Sequence, residues 1–114
     1  MFSLTGQVAV VIGGGGVLAG AMATGLARAG ADIAILDVSK DNAEGRAKSI
    51  ETLGRAAIGV VCDATSKASL EDALDSILER FGHVDILVNA AGVNSGTPFF
   101  EITEAEWSGS SISI

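Results

Sequence analysis

A doubly wound α/β domain built on a parallel sheet is the fold this sequence predicts, and three observations predict it. Short β-branched apolar runs alternate with segments of helical apolar spacing through residues 8–89. The connections are short and carry glycine or capping residues. The runs are apolar on both faces, as strands covered by helices on each side must be. Right-handed crossovers then order four strands as 3-2-1-4.

The elements follow in order. "VAVVI", Val8–Ile12, is a buried strand closed by glycine. Leu18, Met22, Leu26 and Ala29 recur at helical spacing, and Gly30 stops that helix. "ADIAILD" is the second strand. Asp41 or Asn42 can cap a helix running to Leu53, with Gly54 at its end. "AAIGVVCD" is the third strand. Thr65 or Ser66 can cap a helix that carries Leu70, Ala73, Leu74, Ile77 and Leu78 on one face and ends at Gly82. "HVDILVNAAG" is the fourth strand, leaving into glycine. Its core, Asp85–Asn89, turns Ile86 and Val88 to one face and Leu87 to the other. "VNSGTPFF" reads as a loop. "EITEAEW" reads as the start of a further helix, capped by Thr103 with Glu106 three residues on. "SGSSISI" then breaks the helical period, so residues 1–107 read as the domain and 108–114 as a tail. No strand follows the fourth in this reading, which leaves its edge open and self-association through it expected.

Composition bounds the function. The chain has 114 residues, enough for one domain, and 48% of them are hydrophobic. Its formal charge of −7 disfavours nucleic acid and anionic membrane as partners. The one cysteine, Cys62, permits no intrachain disulfide and suits the cytoplasm. No apolar run is long enough to span a bilayer, and no basic leader opens the chain. One histidine and one cysteine make no metal-ligand cluster.

The residues suited to chemistry gather at strand ends. Gly14-Gly15-Gly16-Val17-Leu18-Ala19 fits G-x-G-x-x-G/A between a strand and a helix, the pattern of a pyrophosphate-binding turn. Glycine allows close backbone approach, and the helix N-terminus offers N–H groups and a positive dipole end. Asp37 ends the second strand about 20 residues later, where an acid accepts from ribose hydroxyls and repels a 2′-phosphate. Asp63 ends the third strand, as a turn or cap residue or as a ligand contact. Asn89 ends the fourth, and Ala90, Ala91 and Gly92 are small enough to let a ring or ribose come close. His83 lies at the other end of the sheet and suits a surface role. Cys62, Trp107 and the Phe99–Phe100 pair suit packing.

Together these residues resemble the short-chain dehydrogenase/reductase family. "LTGQVAVVIGGGG" is similar to that family's opening, "CDAT" to its Asp-Val-Thr turn, "VDILVNAAG" to its Asn-Asn-Ala-Gly strand end, and "TPFFEITEAEW" to the segment before its central helix. The resemblance covers Leu4 to about Trp107. It implies a Rossmann-type domain, an adenine contact for Asp63, and NAD as cofactor. Laid on the family's Thr-Gly-x-x-x-Gly-x-Gly motif, this chain offers Ile12, Gly13, Val17 and Ala19, of which only Gly13 matches. "GGGGVLAGAMA" is similar instead to a branch acting on sugar acids, the mannonate oxidoreductase type. In that branch Gly14, Gly15 and Gly16 would wrap the phosphates.

The family's catalytic Ser and Tyr-x-x-x-Lys, and the Asn that helps them, have no counterpart, and the chain contains no tyrosine. The implied function is therefore the cofactor-binding N-terminal part of an NAD(H)-dependent oxidoreductase. Such an enzyme interconverts a secondary alcohol and a carbonyl, with a small-molecule substrate met only in a complete chain, and this chain alone is expected to be inactive. The alternatives are a non-catalytic nucleotide-binding module and a non-functional gene fragment.

Overall fold

The structure, a computed structural model, describes residues 3–13, 17–63, 65–89 and 101–104. The alternation of buried runs and amphipathic segments folds into β1 (Val8–Ile12), α1 (Val17–Arg28), β2 (Asp32–Asp37), α2 (Lys40–Glu51), β3 (Ala57–Val61), α3 (Lys67–Phe81), β4 (Ile86–Asn89) and β5 (Glu101–Glu104). The sheet order is β3-β2-β1-β4-β5. The first four strands are mutually parallel, as the sequence predicts, while β5 runs antiparallel to β4.

Alternate residues of the central strands feed two cores. Ala9, Val11, Ile33, Ile35 and Val88 face α1 and α2. Val8, Val10, Ile12, Ala34, Leu36 and Leu87 face α3. Every residue of β1 is buried, which explains why its sequence is a continuous apolar run. Ile86 and Val88 share one face and Leu87 takes the other, as expected.

The helices show where local pattern is sharp and where it slips. α3 buries Leu70, Ala73, Leu74 and Ile77 and ends at Gly82. With φ at +86°, Gly82 takes the left-handed cap, and its N–H donates to the Leu78 carbonyl at 2.7 Å. Of the two possible caps for this helix, Ser66 is the one used, its Oγ accepting from the Ser69 N–H. In α1 the fully buried stripe is Ala19, Ala23 and Ala27, with Met22, Leu26 and Ala29 partly buried beside it. Small residues let α1 sit close to the sheet, and the larger ones fill its flank. α2 starts one or two residues before the expected Asp41 or Asn42 cap. Ser39 takes that place, its Oγ accepting the Asn42 N–H at 3.2 Å, and the helix ends at Glu51, short of Leu53. α2 packs so close to β3 that a Cβ at Gly59 would overlap the backbone of Ala43 and Glu44.

Two expectations are corrected at the far edge. Glu101–Glu104 form a strand where the sequence reads the entry to a helix capped by Thr103, with Leu87 opposite Thr103 and Val88 opposite Ile102. The edge of β4 is therefore paired, not open. Ile102 and Thr103 are β-branched and suit a strand. An edge of unpaired N–H and C=O groups rewards pairing more than a short helix rewards capping. Residues 108–114 lie outside the described residues. Among the described residues no helix is long and apolar enough to cross a membrane.

Candidate functional site at the carboxyl edge of the sheet

Because β1 to β4 run in one direction, their carboxyl ends share one edge. Ile12 pairs with Leu36 on one side and Asn89 on the other, and Asp37 pairs with Val61. Asn89 is level with Ile12, Gly13 and Asp37 lie one step beyond, and Asp63 follows two residues after Val61, so all four fall at the carboxyl edge. Gly14, Gly15 and Gly16, like Ala90, Ala91 and Gly92, lie outside the described residues.

Gly13 leaves β1 with φ at +79°, a conformation that side chains avoid, and its N–H donates to the Leu36 carbonyl at 2.6 Å. The backbone is helical again at Val17 and Leu18, so α1 begins at this same edge. A helix starting there directs backbone N–H groups and its positive dipole end toward the edge.

Asp37 is half-buried, and its Oδ1 accepts the Ser39 N–H at 2.9 Å. Ser39 in turn caps α2, so the carboxylate is fixed to the start of a helix. Asp63 is exposed. Its Oδ1 accepts from the Thr65 hydroxyl at 2.6 Å and from the Thr65 N–H at 2.9 Å. The hydroxyl first, and the N–H after it, hold the Asp63 carboxyl below the ordinary carboxylate range. Its own N–H donates to Ser69 Oγ at 3.0 Å. Of the readings open for Asp63, the turn is realised in full. Asn89 is partly buried at the last position of β4.

Two further features had no clear signal in the sequence. Val38 and Val61 are 71% and 52% exposed, although both are large and apolar. They follow Asp37 and pair with it, respectively, so they make an apolar patch on either side of the acid. An apolar residue inside the polar turn "DVSKD" was the only hint. The second feature is the Ser39 N–H, since the chain does not show from sequence which amide an acid will accept from.

The remaining residues sit elsewhere. Cys62 is buried just past β3, and burial pushes its thiol pKa up from 9.0. His83 lies at the opposite end of the sheet. Its Nε2 is 3.0 Å from the Gly6 carbonyl and 2.9 Å from Asp85 Oδ2, which also accepts the Val8 N–H at 2.9 Å. That cluster ties the amino-terminal segment to the start of β4.

A parallel sheet wound in both directions from β1, with a glycine turn and three polar residues on its carboxyl edge, defines a Rossmann-type α/β domain. Residues 7–112 match the short chain dehydrogenase family. The chain belongs to that family. The uncharacterized oxidoreductase UxuB of Bacillus subtilis (strain 168) is 39% identical over 107 residues, 94% of this chain and 38% of that protein. The 5-keto-D-gluconate 5-reductase of Escherichia coli (strain K12) is 33% identical over 107 residues, 94% of this chain and 42% of that protein. A crystal structure of NAD+-bound xylitol dehydrogenase superposes with a TM-score of 0.71 at 36% identity, over 73% of this chain and 32% of that one. The chain thus spans about two-fifths of the length of the curated relatives it matches.

Proposed function

We propose that this chain is the cofactor-binding part of an NAD(H)-dependent oxidoreductase that interconverts a secondary alcohol and a carbonyl, with a sugar acid or related polyol as substrate. The observation that carries the reading is that Gly13, Asp37, Asp63 and Asn89 gather at one edge of the sheet, where α1 also begins.

These residues fit an adenine dinucleotide. The exposed Val38 and Val61 offer apolar surface for a flat base beside an acid suited to its ribose. Gly13, turned at positive φ, and the first N–H groups of α1 suit the diphosphate. The Asp37 carboxylate, held by the Ser39 N–H, accepts from ribose hydroxyls and repels a 2′-phosphate. Asp63, already ionised by its bonds to Thr65, presents an acceptor to the adenine amino group. The nicotinamide ring supplies hydride transfer when bound, and the protein supplies orientation. The sugar-acid substrate rests on the glycine stretch and on the 5-keto-D-gluconate 5-reductase among the relatives.

Calorimetric titration of NADH and NADPH into the purified chain tests this. NADH is expected to bind more tightly, and Asp37→Ala to narrow the gap about tenfold, the scale of one hydrogen bond to a charged group. Tighter binding of NADPH by the unmodified chain overturns the cofactor assignment, and no binding of either overturns the whole reading.

A further inference from the structure

β3 is an edge strand, and its outer side lacks the usual protection. The Ile33 N–H donates to the Ala56 carbonyl at 3.0 Å, and the Cys62 N–H donates to the Asp37 carbonyl at 2.9 Å. Successive residues of a strand turn to alternate sides. With Ala56 and Cys62 turned toward β2, Ile58 and Val60 face it too, and Ala57, Gly59 and Val61 turn their N–H and C=O groups outward. Among the described residues no strand pairs with that side. Ala57 is covered, whereas Gly59 is half-buried and Val61 is exposed. Two residues on, the Asp63 N–H is taken by Ser69 Oγ, which ends the open stretch. Edge strands are commonly blunted by a charge, a proline or a bulge. β3, Ala-Ile-Gly-Val-Val, carries neither charge nor proline.

A groove of about 490 Å³ runs beside this edge on the α3 face, lined by Val60, Val61, Ser69, Asp72, Ala73 and Ser76. Val60 and Ala73 make it apolar, and Asp72 makes it acidic. Asp72 is exposed and forms no ion pair among the described residues. Glu79, also exposed, lies two turns further along the same stripe of α3. The cations of this helix are engaged elsewhere. Lys67 lies 3.9 Å from Glu71, and Arg80 lies 5.5 Å from the centre of the Phe81 ring.

We propose that the outer side of β3 docks an extended, basic segment of a partner protein as an added strand. The backbone groups of Gly59 and Val61 pair with it. The side chains that it turns toward α3 lie on Val60 and Ala73, with a lysine or arginine against Asp72. Charge selects this occupant over a second copy of the chain. Two β3 strands paired antiparallel about a two-fold axis bring α3 beside its own copy on one face, so the acidic stripe of Asp72 and Glu79 meets itself. The formal charge of −7 on the whole chain opposes self-pairing and favours a basic segment in the same way.

The test titrates the full chain by NMR with the peptide acetyl-Thr-Lys-Thr-Val-Thr-Lys-Thr-amide. Its symmetric sequence sets the valine and both lysines on one face in either strand direction. A second peptide carries glutamate in place of both lysines. With the lysine peptide bound, the Gly59 and Val61 amides are expected to exchange severalfold more slowly, while those of Ile58 and Val60, already turned to β2, change little. The glutamate peptide is expected to bind the unmodified chain about fivefold more weakly, the scale of an exposed ion pair. In Asp72→Lys, whose folding is checked by thermal denaturation, that preference is expected to reverse. Equal binding of the two peptides by the unmodified chain overturns the basic partner, whether or not the variant folds. Binding that leaves the Gly59 and Val61 amides unprotected overturns the added strand, and so does no binding of the lysine peptide. Protection of those amides by rising chain concentration alone assigns the edge to a second copy and overturns the proposal.

Discussion

Cys62 and Asp63 are neighbours with opposite acid–base behaviour. Burial raises the Cys62 thiol pKa, so the nucleophilic thiolate is scarce at neutral pH. Cys62 is expected to react with a thiol reagent at pH 8 at least about tenfold more slowly in the folded chain than in denaturant. Timed absorbance of the released reporter measures this. At Asp63 the sign is reversed. Its folded pKa lies below 3.8, so the Thr65 bonds stabilise the fold above that pH and lose their contribution as pH falls through the folded value. Asp63→Ala should therefore lower the urea midpoint at pH 7, and the gap to the unmodified chain should narrow as the pH falls below 3.8 through the folded value. Asp63 also shows what residue-level reading can deliver. Its place after β3 was legible in the spacing. The turn it makes with Thr65 depends on a local bond that competes with several equally good ones.

Among the elements, the caps have measurable weight. Ser66 satisfies an orphan donor of α3, and Ser66→Ala should cost about 1 kcal/mol in urea unfolding. β5 carries a different expectation. In an antiparallel pair adjacent residues turn their N–H groups to opposite sides. Replacing both Ile102 and Thr103 by proline therefore removes at least one bond to β4 whichever of them donates. The variant should self-associate with rising concentration in sedimentation velocity, while the unmodified chain, its β4 edge paired, associates less. β5 was not legible in the sequence because Thr103 and Glu106 also make a good capping box. Only the neighbouring strand decides between the two, and a local pattern does not contain it. The α1 face is only partly legible for a related reason. Helical period locates a stripe but does not say that alanines lie against the sheet and leucines beside it. By contrast, β1 to β4 and α3 were legible because burial on both faces, or on one clean face, leaves a continuous signature.

At the scale of the whole molecule, the chain should bind a dinucleotide and yet not use it. It has no tyrosine to give or take a hydroxyl proton, and positioned acid–base groups contribute about 10²–10⁴-fold. Purified chain with NAD and a panel of sugar acids and simple alcohols is expected to form no NADH above a buffer control, read at the NADH absorbance. The Val8 N–H that donates to Asp85 has a further consequence, for the order of folding. β1 sits at the centre of the sheet but meets β4 only after 77 residues of chain. The β1–β2 pair closes a much shorter loop, and closure cost grows with loop length. Contacts of long sequence separation also slow folding. The middle of this sheet is therefore expected to be finished late, with the Asp85 bond formed after the rate-limiting barrier. In stopped-flow urea jumps, Asp85→Ala should speed unfolding severalfold and leave the refolding limb nearly unchanged. Of these strands, the one made earliest then waits longest for its second partner.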